Sequence, residues 1–405
     1  MASDEATTAA AASPQELQKE NIKPEDNTSK EEKNTEDQPS KEEPAEKTVD
    51  ISNLPSSAAD GVIKTLFHGP LEHCKPPPPA ELTAEQKSKY DGLLALVSGW
   101  STIPTTSAKN SPVEPLSDDE RMFLTRECLL RYLRATKWNV NSAESRLQAT
   151  LVWRREYGVK KHTPEYISVE NETGKQVILG YDIHARPCLY LNPSKQNTEH
   201  SPRQIEHLVF MIERVIDLMG PGQESLALLV NFKETSSGQN ATISQGRQTL
   251  SILQNHYPER LGRALVINMS FFILGFFKLI TPFIDPLTRE KLKFNEDMRQ
   301  HVPSSQLLKV TGGDVEFEYD HSVYWPALNA LATQKRQAYR ERWIQGGKFI
   351  GEHEDYLKGG PGKSLAETNA AQPSDTPADI QEKMESLAVN DPAKDQPETT
   401  ATTTA

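Results

Sequence analysis

Two short, continuous apolar runs separated by a helix-length segment constrain the fold of this chain more than any other feature. Leu226 to Val230 and Ala264 to Ile267 contain no polar residue, which is typical of strands covered on both faces. The segment between them, roughly Ile243 to His256, is predicted to be a helix. A strand, a helix and a second strand of these lengths form a parallel crossover unit. The sequence therefore predicts an α/β fold with a mostly parallel sheet.

Elements on either side of this unit complete the predicted organisation. Gln176 to Tyr181 and Cys188 to Leu191 have the pattern of a β-hairpin. Ser201, followed by Pro202 and Gln204, predicts a capped helix that ends near Gly220. The resulting division is an acidic tail (1–60), an N-terminal arm (61–115), a small helical module (116–160), an α/β lobe (165–320), a C-terminal helix (321–350) and a second tail (361–405).

The charge of the chain lies mainly in its tails. Residues 1–60 have a net charge of −9, residues 361–405 have −5, and the whole chain has −12, so residues 61–360 sum to +2. Neither tail contains Phe, Trp or Tyr, and segments of this composition are expected to be disordered. The near-neutral middle lacks the basic excess that binds phosphate backbones, which argues against a nucleic-acid partner.

Cysteine content and the N-terminal sequence predict a cytoplasmic protein. The chain has three widely separated cysteines, too few and too scattered for a disulfide framework or a metal site. The first residues are acidic and rich in Ala and Thr, unlike a signal peptide. The 21 residues from Ala264 to Ile284 are mostly apolar, but Asn268, Lys278 and Pro282 interrupt them. We therefore expect a buried strand and a membrane-touching helix there, and not a transmembrane span.

Motifs of the common enzyme classes are absent from the sequence. No GxGxxG follows a strand, and GxxxxGK[ST], HExxH, CxxC and GxSxG do not occur. The sequence therefore predicts no catalytic residue, no metal site and no cofactor. A lipid-modifying enzyme is the weakest of the alternatives considered.

Three stretches carry the candidate functional residues: YPERLG (257–262), the Phe-rich segment 271–283, and DPLTREK (285–291). Taken singly, each has an ordinary interpretation. Glu259 and Arg260 could form a surface ion pair, Lys291 could be a solvated charge, and the phenylalanines could belong to the core.

The order of these stretches resembles the CRAL-TRIO family, which includes the yeast secretory phosphatidylinositol-transfer proteins. The resemblance covers about residues 118–330 and rests on LRYLRA (130–135), WRR (153–155), YPERLG (257–262), ALVIN (264–268) and PFIDPLTREK (282–291). Within the family, it is greatest to the fungal branch linked to pleiotropic drug (azole) resistance. Such a resemblance implies a helical N-terminal module on a lipid-binding lobe with a gate helix.

Site residues are implied by the same resemblance. The lipid headgroup would contact Glu259, Lys291 and Thr288, with Arg134 and Lys137 as further candidates. The gate helix would present the phenylalanines of the third stretch, namely Phe271, Phe272, Phe276, Phe277 and Phe283. We expect Gly312 and Gly313 to act as a hinge. This chemistry is reasonable in itself, because a Lys and a hydroxyl suit a phosphodiester and a carboxylate suits inositol hydroxyls.

The implied function is to bind phosphatidylinositol in an internal apolar pocket and to transfer or present it between membranes, regulating phospholipid and sterol metabolism. The alternative is a sensor of sterols or other hydrophobic ligands that presents lipid to a partner enzyme, such as a phosphoinositide kinase. The resemblance also implies a peripheral location on lipid droplets, endoplasmic reticulum or the cell periphery.

The sequence departs from the family pattern at two places. Asn231-Phe232-Lys233-Glu234 stands where members that also carry phosphatidylcholine have an Asp-x-x-Gly turn, so no choline lipid is expected. Thr136 occupies a position where some members have Arg, which weakens the expected N-terminal phosphate contact.

Overall fold

A five-stranded sheet lies at the centre of the computed structural model, which describes residues 50–58 and 61–370. Its strand order is β3-β4-β5-β6-β7; β3 and β4 are antiparallel and the other pairs are parallel. A two-stranded hairpin precedes it in the chain. The strands are β1 (Thr102–Pro104), β2 (Val113–Pro115), β3 (Gln176–Tyr181), β4 (Pro187–Leu191), β5 (Leu226–Asn231), β6 (Leu261–Ile267) and β7 (Leu292–Phe294).

Helices surround this sheet and connect its parallel strands. Their bounds are α1 (Ala84–Ser98), α2 (Asp118–Phe123), α3 (Arg126–Ala135), α4 (Val140–Tyr157), α5 (Pro164–Asn171), α6 (Pro202–Leu218), α7 (Ile243–His256), α8 (Phe271–Ile280), α9 (Pro286–Glu290), α10 (His321–Gln345), α11 (Glu354–Leu357) and α12 (Leu365–Ala370). The predicted α/β class, the mostly parallel sheet and the hairpin of β3 and β4 are thus confirmed.

The helical module contains α1, α3 and α4 and has a core of its own. Leu93 of α1, Leu129 and Leu133 of α3, and Leu147 of α4 are fully buried together. The predicted arm therefore contributes its helix to this module. The end of the predicted acidic tail, residues 50–58, also contacts the lobe, where Leu54 packs against the main core. The rest of that tail lies outside the described residues.

The two faces of the sheet are covered differently. Strand register places Leu189, Leu228 and Ala264 side by side on one face, and Tyr190, Leu229 and Leu265 on the other. The second face is fully buried, and the Tyr190 hydroxyl accepts a hydrogen bond from the Leu308 backbone. On the first face, α6 packs against β3 and β4, whereas α7 packs against α4 and α8. Leu228 is only half-buried in the middle of the sheet, whereas Leu189 and Ala264 beside it are buried, so this face is incompletely covered at Leu228.

The long apolar stretch divides as the sequence predicts. Ala264 to Ile267 is part of β6, and Phe271 starts α8 with Ser270 as its N-cap. Of the helices in residues 50–58 and 61–370, none combines the length and the apolar character needed to cross a membrane. Ser201 is the N-cap of α6 and Pro202 is its first residue, as predicted, but the Ser201 side chain makes no capping hydrogen bond and the predicted reciprocal capping by Gln204 is absent. Gln204 instead donates to the Glu199 carbonyl.

Candidate ligand-binding site

Charged residues gather at the amino ends of the parallel strands. Glu224 comes shortly before β5, Glu259 and Arg260 come before β6, and Lys291 comes directly before β7. Because β5, β6 and β7 are parallel neighbours, their amino ends lie along one edge of the sheet. The fold therefore brings together YPERLG and DPLTREK, which are separated in the chain by α8.

Glu259 occupies the turn between α7 and β6 with φ of 58°. A non-glycine residue in this left-handed region costs about 1–2 kcal/mol, so the turn is held by its surroundings. The Glu259 carboxylate accepts a hydrogen bond from Arg134 Nε at 2.6 Å. Arg134 is also 3.6 Å from Glu224. Two of the predicted headgroup residues, one from the module and one from the lobe, are thus in direct contact.

Lys291 lies beside Glu259 without forming a close ion pair. Burial lowers the pKa of the Lys291 ammonium group, and the charges of Glu259 and Asp285 oppose this effect. Among the described residues, no carboxylate lies within 4.0 Å of its Nζ. The ammonium group therefore has capacity to bind an anion next to Glu259.

Thr288 is one turn away from Lys291, in the short helix α9. The Asp285 side chain caps this helix by accepting a hydrogen bond from the Thr288 backbone at 2.9 Å. The Thr288 backbone carbonyl in turn accepts from the Lys291 backbone at 3.1 Å. Thr288 is half-buried, so the hydrogen bonds of α9 fix its position relative to Lys291.

Lys137 is the predicted site residue that the structure does not bring into this cluster. Its side chain is exposed, and its φ of 53° places it in the turn after α3. It makes no ion pair with any residue in the described part of the chain. A role for Lys137 in headgroup binding stays a prediction.

Arg186 is a neighbour of the site that the sequence did not indicate. It precedes β4, donates from Nε to Ser225 Oγ at 3.0 Å and pairs with Asp182 at 3.1 Å. Its charge contributes to the lowered pKa of Lys291. A Cβ at Gly262 would lie 2.3 Å from Arg186 Nε, so the glycine of YPERLG makes room for this guanidinium. Only strand register brings Arg186 to this edge, and register was not predicted.

The predicted gate helix corresponds to α8, and it exposes two of its phenylalanines. Phe271 is 85% exposed and Phe272 is 84% exposed. Ile273 and Ile280 are buried on the opposite side. The helix therefore has one face turned toward the protein and an unusually apolar face turned toward solvent.

The remaining predicted gate residues make internal contacts. Phe276 and Phe277 are half-buried, and the ring of Phe277 lies edge-on to those of Phe232 and Phe294 at 6.5 and 5.3 Å. Phe283 lies in a short turn after α8, where Arg247 stacks on its ring at 4.6 Å. Phe283 is thus not part of the helix itself.

Two separate cavities among the described residues can be compared with the predicted lipid pocket. One, of about 840 Å³, lies where the module, α6 and α10 meet, and many of its lining residues are charged. The other, of about 570 Å³, is an open apolar groove along α8 lined by Ile243, Phe271, Phe272 and Phe276. Neither is the predicted internal apolar pocket, which stays a prediction. The sheet face at the half-buried Leu228 is the surface on which such a pocket would form.

The predicted hinge glycines lie in a hydrogen-bonded turn. Gly312 has φ of 100°, and a Cβ at Gly313 would be 2.0 Å from the Leu307 carbonyl oxygen. Both positions therefore require glycine for the turn itself, and a hinge function is untested. Within residues 50–58 and 61–370, no group of three or more His, Cys, Asp and Glu side chains is arranged to hold a metal ion.

Family models match both halves of this architecture. The model described as CRAL/TRIO domain matches residues 171–313, and that described as CRAL/TRIO, N-terminal domain matches residues 89–149. The first match contains β3 to β7 together with α8, and the second contains α3 and most of α4.

Several known proteins are similar in sequence or structure. The chain is 41% identical over 257 residues to phosphatidylinositol transfer protein PDR17 of Saccharomyces cerevisiae, which covers 60% of this chain and 73% of that protein. It is 51% identical over 302 residues to CRAL-TRIO domain-containing protein C23B6.04c of Schizosaccharomyces pombe. That match covers 74% of this chain but only 30% of the longer relative. The crystal structure of Sfh5 aligns with a TM-score of 0.44 and 13% identity over 64% of this chain and 100% of that one.

Proposed function

Because this chain belongs to the CRAL-TRIO family, we propose that it binds phosphatidylinositol and transfers or presents it between membranes. The ion pair of Arg134 with Glu259, together with the position of Lys291 at the amino end of the neighbouring parallel strand, is the observation that supports this proposal. In addition, PDR17 is by name a phosphatidylinositol transfer protein.

The charged cluster suits an inositol phospholipid. In the proposed complex, the Lys291 ammonium group and the Thr288 hydroxyl bind the phosphodiester. The Glu259 carboxylate accepts hydrogen bonds from inositol hydroxyls, and Arg134 holds that carboxylate in position. A charge-assisted hydrogen bond to a phosphate is roughly twice as strong as a neutral one, so Lys291 contributes most to binding the headgroup.

The apolar face of the sheet would hold the acyl chains. Two chains contain about 30 methylenes, and exposing them to water would cost about 25 kcal/mol at roughly 0.8 kcal/mol each. A carrier must shield them for exchange to proceed at a useful rate. Leu189, Leu228 and Ala264 are apolar neighbours on one face of the sheet, and Leu253 of α7 packs against the same core as Leu228.

Helix α8 would act as the gate of this pocket. Its exposed Phe271 and Phe272 would enter the interfacial region of a bilayer, where an amphipathic helix gains free energy from apolar burial. Opening of α8 at the membrane would admit a lipid. When α8 closes, the charged cluster would contact the lipid headgroup. The glycines at 312 and 313 remain the proposed hinge. This mechanism involves no chemical conversion of the lipid.

Cellular context follows from the same proposal. A carrier of this type would associate peripherally with lipid droplets, endoplasmic reticulum or the cell periphery. It would thereby influence phospholipid and sterol metabolism, and a phosphoinositide kinase is a reasonable recipient of the presented lipid.

Transfer of phosphatidylinositol between vesicles tests the site directly. Glu259→Ala and Lys291→Ala should each lower the transfer rate by about tenfold, because each removes a charged contact to the headgroup. Lys309→Ala is a matched control, since Lys309 is exposed and pairs only with the surface residue Glu316. Undiminished transfer by both site variants would refute the site.

Mass spectrometry of the copurifying lipid tests the cargo. The proposal predicts that phosphatidylinositol copurifies with the protein and that phosphatidylcholine does not. Recovery of a sterol alone would favour the alternative of a hydrophobic-ligand sensor.

A further inference from the structure

The larger cavity lies outside the proposed lipid site. Its walls come from α2, the end of α4, α6, α10 and the segment around α11, and its volume is about 840 Å³. Glu259, Lys291 and Arg134 are not among the residues that line it, although Pro258 and Arg260 are. It is therefore a neighbouring recess with its own set of side chains.

The lining of this cavity is strongly basic. Eleven Arg or Lys residues and six Asp or Glu residues line it, an excess of five positive charges. The whole segment 61–360 has a net charge of only +2. The positive charge of the globular part is thus concentrated in one recess, where low-dielectric walls strengthen its potential.

Most of the carboxylates in this lining are already paired. Glu213 receives two hydrogen bonds from Arg154 at 2.8 Å each, and Glu120 receives one from Arg155 Nη2 at 2.9 Å. Asp217 pairs with Arg214 at 3.0 Å. These contacts neutralise part of the basic lining and leave a surplus of cations.

Lys161 and Lys335 belong to that surplus. Neither lies within 4.0 Å of a carboxylate in the described part of the chain. Arg336, next to Lys335 on α10, is 3.9 Å from Asp217, which is a weak contact. Lys335 is half-buried, and burial with no opposing carboxylate lowers its pKa. A desolvated cation without a counter-charge is costly, and an anion bound beside it would reduce that cost.

We propose that this cavity binds a small, soluble anion that carries several phosphate groups. Several phosphates in one molecule match a surplus of several cations better than a single carboxylate does. A volume of about 840 Å³ also falls within the range of small-molecule sites. The site goes beyond the proposed lipid function, because it uses neither the headgroup cluster nor the apolar sheet face.

Isothermal titration of the full-length protein tests this site. The probes are inositol hexakisphosphate, ATP and pyrophosphate, each titrated separately, with sodium sulfate as a simple-anion control. At least one phosphate probe should bind saturably with one site per chain. Its affinity should fall as salt is raised, because salt screens the basic lining.

Two variants locate the binding. Lys335→Met and Lys161→Met should each lower the affinity for the phosphate probe by about tenfold, since each removes one charged donor. Lys309→Met, outside the cavity, should change its affinity by less than about twofold. Because Lys161 is exposed, its substitution tests the site even if Lys335→Met impairs folding.

The outcomes separate this proposal from the lipid function. No saturable binding of any phosphate probe at about millimolar concentration would overturn it. The proposal would also be overturned if Lys309→Met weakened binding as much as the two cavity variants, or if sulfate bound as tightly as the phosphate probes. Phosphatidylinositol transfer should be unchanged in Lys335→Met, whereas failure of the lipid site would appear in variants of the charged cluster, such as Glu259→Ala and Lys291→Ala.

Discussion

At the scale of single residues, the charged cluster of Arg134, Glu259 and Lys291 combines a paired carboxylate with a less restrained ammonium group. Arg134 fixes Glu259 from the helical module, while Lys291 is held by its backbone at the start of β7. The side chains of Arg134 and Glu259 are 35% and 32% exposed. A pair so accessible to water contributes little to stability. We therefore expect the main effect of the Arg134–Glu259 pair to be orientation of the Glu259 carboxylate.

Substitution of Arg134 should separate stability from binding. Arg134→Met should lower the free energy of unfolding by less than about 1 kcal/mol, because the ion pair is half-exposed. Phosphatidylinositol transfer should nevertheless fall several-fold, because Glu259 loses the group that orients it. Urea denaturation and a vesicle transfer assay measure the two quantities. Lys89→Met, which breaks an exposed pair with Glu85, should alter neither.

Gly180 illustrates a residue whose backbone conformation the fold requires. It lies within β3 with φ of 73°, and a Cβ there would be 2.1 Å from the Gln306 carbonyl oxygen. Gly180→Ala should therefore lower the free energy of unfolding by about 3 kcal/mol, through strain and displacement of a buried backbone. Gly220→Ala is the matched control, since nothing lies within 4 Å of its Cβ position. Equal urea midpoints for the two variants would contradict this interpretation of Gly180 in β3.

Residue identities at the site were predictable where a local motif carries them. Glu259, Thr288 and Lys291 lie in short, ordered stretches of sequence, and Arg134 precedes them in a third. Arg186 was missed because nothing local connects it to Lys291. Only the parallel register of β4 to β7 brings them to one edge, and register depends on contacts between distant segments.

At the scale of elements, α8 differs from the other helices in its exposed apolar face. Phe271 and Phe272 form this face, and Ile273 and Ile280 anchor the other. The sequence predicted the helix because its apolar run is interrupted by polar residues at both ends. The start of β6 was predicted less well, since Gly262 and Arg263 interrupt the apolar pattern although both lie in the strand. Arg263 pairs with Ala227, and Gly262 falls at a register shift between β5 and β6.

Removing the exposed rings should weaken membrane binding without unfolding the protein. The double variant Phe271→Ser with Phe272→Ser should bind vesicles at least about tenfold less well, because two apolar groups are lost from the interface. Its free energy of unfolding should stay within about 0.5 kcal/mol of the parent, as expected for exposed positions. Vesicle flotation and urea denaturation measure these effects. Val310→Ser, at a residue 70% exposed elsewhere, should leave flotation unchanged.

At the scale of the whole molecule, partly buried ion pairs join the helical module to the lobe. Arg154 of α4 makes a bidentate contact with Glu213 of α6, and the Tyr257 hydroxyl donates to the same carboxylate at 2.7 Å. Arg131 of α3 similarly contacts Glu224, which lies just before β5, at 2.6 Å. The sequence predicted both parts but not how they attach, because such pairs join residues far apart in the chain.

The Arg154–Glu213 contact should make stability depend on acid pH. Burial alone would raise the pKa of Glu213, but Arg154 and Tyr257 hold it at about 2, below its ordinary value of 4.5. A lowered pKa in the folded state stabilises the protein above pH 4.5, and this contribution is lost as pH falls through about 2. Glu213→Gln should therefore cost about 3 kcal/mol at pH 7, and the difference from the parent should shrink toward pH 2.

Urea denaturation across this pH range measures the effect. Glu165→Gln, which changes an exposed carboxylate, serves as the control and should follow the parent at every pH. A constant difference between Glu213→Gln and the parent from pH 7 to pH 2 would contradict the assignment.

The position of the charged cluster at the amino ends of the strands has a geometric consequence. Helix α8 follows the carboxyl end of β6, so polar recognition and the apolar opening would lie at opposite ends of the same strands. A strand of six or seven residues spans about 20 Å. The length of the strands would then set the distance between the lipid phosphate and α8. An acyl chain longer than this distance would extend toward α8 without displacing the headgroup.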